Sequence, residues 1–96
     1  MAGSLKLEWN ERKRAANLRK HGLDFADAAE LFAGLPLVLP DTREEYGEER
    51  SIAIGQIRGR TVVAAFVELG AQKVRIISLR KATRREAQLY YARFAH

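Results

Sequence analysis

The sequence predicts an α+β fold: an N-terminal strand and two helices, then an antiparallel meander sheet, then a C-terminal helix. Three observations carry this expectation. Residues 10–34 hold paired helix start and stop signals, with Asn10 and Asp24 as caps and Gly22 and Gly34 as stops. Residues 50–79 fall into three apolar runs separated by short turns. Thr83 and Glu86 spell the S/T-x-x-E box that opens a further helix.

Each element has its own local reason. Leu5, Leu7 and Trp9 alternate with Lys6 and Glu8, the period of a strand with one buried face. Asn10 can accept the orphan backbone N–H groups of a helix over residues 11–21, with Ala15, Leu18 and Ala16 as its apolar face. Gly22 ends that helix in the left-handed position, and Lys20 and His21 sit where the macrodipole favours positive charge. Asp24 caps a second helix through residue 33, striped by Phe25, Ala28, Ala29, Leu31 and Phe32.

Residues 37–39 form a short strand flanked by prolines, which suits a sheet edge. Residues 41–49 are rich in Asp and Glu without the oxygen-ligand pattern of a calcium loop, and read as a solvated loop. Residues 50–57 place Ile52 and Ile54 on one face and Ser51, Ala53 and Gly55 on the other. After an Arg58-Gly59 turn, residues 61–69 are apolar on both faces and form the central strand. Residues 73–79 complete the meander, and the apolar face of the last helix includes Ala87, Tyr90, Tyr91 and Phe94.

Composition narrows the functional classes. The 96 residues form a single domain (1–96) that buries roughly 65% of its unfolded surface. With 17 basic and 12 acidic residues the formal charge is +5, which favours an anionic partner. No cysteine is present, so thiolate chemistry and cysteine zinc sites are excluded; two histidines leave no basis for a metal centre, and no cofactor is expected. No apolar run approaches the ~20 residues that span a bilayer. The N-terminus lacks the pattern of a secretory signal, so the expected location is the cytoplasm, with no membrane partner.

The strongest chemical signal is the set Lys73, Arg75, Arg80, Lys81, Arg84 and Arg85, all before the next acid, Glu86. Guanidinium forks match phosphate oxygens and stay charged, so they suit phosphate binding and charge stabilisation. Strict alternation puts Arg75 and Leu79 on one strand face and Val74 and Ile76 on the other. Arg84 and Arg85, in the first turn of a helix, oppose its dipole, which an anion would offset. A solvated basic rim explains the same residues without a ligand. His21 is the one internal histidine and so a candidate acid or base, although such a residue is more often part of a helix end. Glu68 is a weaker candidate base. Tyr90 and Tyr91 can stack on bases, but helical spacing sends at least one into the core.

Glu8-Trp9-Asn10, Asn17, Lys20-His21-Gly22-Leu23-Asp24-Phe25, Ala28, Phe32, Glu49-Arg50, Gly55 and Arg75-Ile76-Ile77-Ser78 together resemble the BrnT toxins, from about residue 7 to 91. Asn10 stands where that family has Asp, and Leu79 where it usually has Ala. The resemblance implies a RelE-like fold and an endoribonuclease toxin of a type II toxin–antitoxin pair, acting on RNA without a metal. It also implies a BrnA-like ribbon-helix-helix antitoxin, through which alone the toxin would meet operator DNA and co-repress its operon. On that basis Arg75, Arg80, His21 and Lys20 are the expected catalytic residues, and Arg50, Lys81, Arg84 and Arg85 the expected RNA-binding ones. The alternative is a non-enzymatic basic module that binds nucleic acid or a partner.

Overall fold

The structure, a computed structural model, describes residues 5–94. The chain runs β1 (Lys6–Glu8), α1 (Glu11–His21), a 3-10 turn (Phe25–Asp27), α2 (Ala28–Ala33), β2 (Leu37–Pro40), β3 (Ser51–Ile57), β4 (Arg60–Glu68), β5 (Lys73–Lys81) and α3 (Arg84–Ala92). The strands form one sheet in the order β1-β5-β4-β3-β2. The α+β class, the meander β3-β4-β5, the central place of β4 and the edge place of β2 are as the sequence predicts. The sheet as a whole is mixed, because β1 lies parallel to β5, with Leu7 opposite Val74. Alternation in a first strand shows which face is buried but says nothing of its neighbour.

Helix ends follow the local chemistry. Asn10 accepts from the N–H groups of Arg12 and Lys13, and Gly22 takes φ 71° and donates to the Leu18 carbonyl. Asp24 caps the 3-10 turn, so the second helix starts later than its cap suggests. The β3–β4 turn puts both Arg58 (φ 49°) and Gly59 (φ 76°) in left-handed conformation, as a two-residue hairpin requires. Its strained Arg58 is tethered by donating its backbone N–H to the Glu30 carboxylate of α2 at 2.7 Å.

Two apolar clusters lie on opposite faces of the sheet. On one, Leu23, Phe25, Ala28 and Leu31 pack over Ala53, Ile57, Val62, Ala64, Phe66, Val74, Ile76 and Leu79. Each fully buried Leu, Ile or Phe here stabilises the fold by about 1.5–3 kcal/mol. A Cβ at Gly55 would stand 3.1 Å from the Leu31 side chain, so glycine is what lets α2 lie this close to β3. On the other face Tyr90 of α3 seals Ile54 and Val63, flanked by Leu37, Leu39, Ile52 and Ala82.

Two expectations are corrected. Leu18 of α1 is 42% exposed; the buried residue of that helix is Asn17. Its Oδ1 accepts the Leu79 N–H at 3.1 Å, and its Nδ2 donates to the carbonyls of Leu79 at 2.8 Å and Leu23 at 3.1 Å. Because β1 pairs with β5 only as far as Arg75, the edge beyond it is open, and this amide fills the place of a strand partner.

The second correction concerns the faces of β5. Ala65 pairs with Ser78 but Phe66 pairs with Ile76, so Ile77 is an extra residue, a β-bulge. The bulge resets the alternation. Leu79 pairs with Ala64 in the helix-covered core, away from Arg75, while Arg80 pairs with Val63 on the face that Arg75 shares. Among the described residues no helix is long and apolar enough to cross a membrane.

Candidate anion site on the open sheet face

The α3 side of the sheet carries three cross-strand rows. Val67 pairs with Arg75, Ala65 pairs with Ile52 and Ser78, and Val63 pairs with Ile54 and Arg80. From Val67 to Val63 is four residues of extended chain, so the Arg75 and Arg80 backbones stand about 13 Å apart along the sheet. Small residues, Ala65 and Ser78, form the floor between them. Arg50 directly precedes Ser51, which pairs with Phe66, and so stands across β4 from Arg75. Register alone thus gathers Arg50, Arg75 and Arg80 on one face.

The 41–50 loop closes over the Arg50–Arg75 end of this face. Its neck is a hydrogen bond from the Asp41 N–H to the Arg50 carbonyl at 2.8 Å. The Asp41 carboxylate, with its side chain only 1% exposed, is gripped by the Arg43 fork at 2.8 and 2.9 Å, which holds its pKa below the usual range. The Arg50 guanidinium lies 4.0 Å over the Tyr46 ring. Glu48 comes within 3.5 Å of Arg50 Nε and 4.0 Å of Arg75 Nη2. The loop wraps an open basin of about 950 Å³ lined by Asp41, Tyr46, Glu48 and Arg50 among others. Reading the loop as simply solvated holds for the exposed Glu44, Glu45, Glu48 and Glu49, and is corrected for the buried Asp41. Spacing could not reveal that Arg43 would hold a buried Asp41, or that Glu48, still exposed, would face Arg50 and Arg75.

Arg80 is held differently. Its two terminal nitrogens donate to both oxygens of Glu86 at 2.8 Å, and Glu86 also accepts the Thr83 N–H at 2.9 Å, completing the capping box. The Arg80 hydrogen bonds, with help from Thr83, pull the Glu86 pKa from 4.5 down to about 2. Asp24 is likewise lowered to about 2 by the Arg14 fork and the Ala26 N–H. Both groups bind protons more weakly when folded. Their stabilisation is therefore complete above pH of about 4.5 and is lost as pH falls towards 2. Glu86→Gln is expected to lower stability at neutral pH by about 2 kcal/mol, and by much less near pH 2. Urea unfolding at the two pH values checks this; an equal loss at both would remove the Arg80–Glu86 explanation.

The remaining candidates lie elsewhere. Lys81 pairs with Val62, on the opposite face from Arg80, and with Arg60, Thr61 and Arg84 lines a shallow depression of about 560 Å³. Arg85 is exposed in the first turn of α3. Lys20 and His21 are exposed in the last turn of α1, and among the described residues no hydrogen bond or ion pair joins them to Arg75 or Arg80. Glu68 is exposed at the end of β4. Tyr90 is core, whereas Tyr91 is 51% exposed, its hydroxyl bonded to the Gln56 amide. No group of three or more His, Cys, Asp or Glu among the described residues is placed to hold a metal ion.

A five-stranded mixed sheet with Arg50, Arg75 and Arg80 on one face makes this a small basic α+β protein. A family model described as the ribonuclease toxin BrnT of type II toxin–antitoxin systems matches residues 9–86, and the chain belongs to that family. The crystal structure of the Brucella abortus ribonuclease toxin BrnT is similar to this chain at 35% identity, covering 84% of this chain and 100% of that one, with a TM-score of 0.68. Among curated proteins no sequence matches. Membership of a toxin–antitoxin family brings with it a cognate antitoxin as partner.

Proposed function

We propose that this chain is a metal-independent endoribonuclease that cleaves RNA by attack of a ribose 2′-hydroxyl on the adjacent phosphate. The observation that carries the reading is the gathering of Arg50, Arg75 and Arg80 around a small-residue floor on one open sheet face. Arg75, with Arg50 across β4, would hold the phosphodiester and offset the charge that grows on it in the transition state. Arg80, fixed by Glu86, would border the groove and meet a flanking phosphate. Lys81 and Arg84 would guide the strand past the end of the sheet, with Arg85 adding charge on α3. Lys20 and His21 are proposed to contact RNA from the α1 side rather than to exchange protons with the arginines.

The partner in this reading is a ribbon-helix-helix antitoxin, and operator DNA is reached only through it. Purified chain freed of its antitoxin should cut RNA in excess EDTA, leaving 2′,3′-cyclic phosphate and 5′-hydroxyl ends. Intact RNA after prolonged incubation, with or without added divalent ions, would rule this function out. Tight, salt-sensitive RNA binding without cleavage would instead favour the non-enzymatic module, a reading that has support in the carboxylate each of these arginines already faces.

A further inference from the structure

We propose that Glu48 is the proton acceptor for the attacking 2′-hydroxyl, a role that rests on the ribonuclease reading above. Attack by a ribose hydroxyl needs a base beside the bound phosphate, and four carboxylates border the arginine face. Glu8, opposite Arg75 on β1, is engaged by the Lys73 ammonium at 3.2 Å. Asp41 is buried, and the Arg43 fork occupies both its oxygens. Glu86 is saturated by two bonds from Arg80 and one from the Thr83 N–H. Glu48 remains. It is exposed on the loop and approaches Arg50 and Arg75 only at 3.5 and 4.0 Å, beyond the usual 2.7–3.2 Å of an N–H···O hydrogen bond. These two ion pairs are loose enough to leave Glu48 able to accept from another donor.

The arginines beside it are unfinished in the complementary sense. Among the described residues, the Nε atoms of Arg50 and Arg75 are buried without a hydrogen-bond acceptor, Arg50 Nε facing Glu48 only at 3.5 Å. Buried donors left unpaired cost free energy, and an entering oxyanion can recover it. A phosphodiester that satisfies these guanidinium groups lies next to Glu48, with its ribose hydroxyl facing the carboxylate. Tyr46, stacked on Arg50, steadies that side of the site.

The step balances without a co-reactant. Glu48 takes the 2′-hydroxyl proton as the 2′-oxygen forms its bond to phosphorus. The bond from phosphorus to the 5′-oxygen breaks, and that oxygen takes a proton from solvent while Glu48 returns its own. The products are a 2′,3′-cyclic phosphate and a 5′-hydroxyl, with no net consumption of water.

The test compares wild type, Glu48→Gln and Glu48→Asp in single-turnover cleavage of an RNA oligonucleotide spanning a mapped cut, across pH. Binding of the 2′-O-methyl form of the same oligonucleotide is measured in parallel. Glu48→Gln is expected to cut about 100- to 10,000-fold more slowly, to lose the fall in rate that wild type shows on acidification, and to bind the uncleavable RNA within about threefold of wild type. Glu48→Asp should cut slowly but keep that acid limb. Cleavage by Glu48→Gln at the wild-type rate overturns the proposal while leaving the ribonuclease reading intact. Tighter binding with faster cleavage also overturns it, showing Glu48 to be an internal anion that RNA must displace. A wild-type chain that cuts no RNA removes both.

Discussion

Arg75→Ala is expected to slow RNA cleavage by about 100- to 1,000-fold with little change in folding. The side chain is half-exposed on a sheet face, and its one ion pair among the described residues, to Glu48, is long at 4.0 Å. Removing it therefore takes little from the native state. In the proposed mechanism, what is lost is a planar donor pair for the negative charge that grows on phosphorus. Arg75→Lys keeps the charge but not the fork, so RNA binding should recover more than the rate does. Arg80→Ala is less clean, since it also strips Glu86 of its partner and loosens the start of α3. Single-turnover rates, read beside thermal melts, separate these effects. Wild-type cleavage by both Arg75→Ala and Arg80→Ala would eliminate the arginine mechanism.

Asn17→Ala should be the most damaging single change to stability outside the apolar core. It leaves the Leu79 N–H and the Leu79 and Leu23 carbonyls without the amide that now serves all three. Each buried group stranded in this way costs about 1–3 kcal/mol, less whatever water can recover. A net loss of about 3 kcal/mol corresponds to a melting temperature roughly 10–20 °C lower in a domain of this size. Asn17→Asp should not rescue it, because a carboxylate can accept from Leu79 but repels the two carbonyls. A melting temperature within a few degrees of wild type for Asn17→Ala would show that β5 does not need this substitute strand. In the proposed mechanism the position also bears on function, because Leu79 stands directly before Arg80.

The parts of the fold written in short-range chemistry were legible in the sequence. The Asn10 cap, the Gly22 stop, the Thr83–Glu86 box and the Arg58-Gly59 turn each depend on residues within a few positions of one another. The small face of β3 was legible too, with Gly55 against Leu31 as its most demanding contact. What escaped depends on partners far apart in the chain. Asn17 was visible as a residue of the family pattern, but its bond to a residue 62 positions away was not. Parallel pairing of β1 with β5 leaves no mark in either strand's alternation. The arginines of the site were picked out by charge and family likeness. Their counter-ions were not, because Glu48 reads as one acid among several until the loop is seen to close, and Glu86 reads only as a cap.

Arg75 and Arg80 are five positions apart, an odd spacing that in a regular strand would point them to opposite sides. The extra residue at Ile77 makes that odd number behave as an even one. Between these two arginines the strand therefore has something like a reading frame. One residue gained or lost there would drive a guanidinium into the helix-covered core and turn Leu79 out to solvent. The exposed loop over residues 41–50 has no such frame, and its length can drift while its neck stays closed. Length changes during divergence should thus collect in that loop and avoid the neighbouring strand, however modest the change in either.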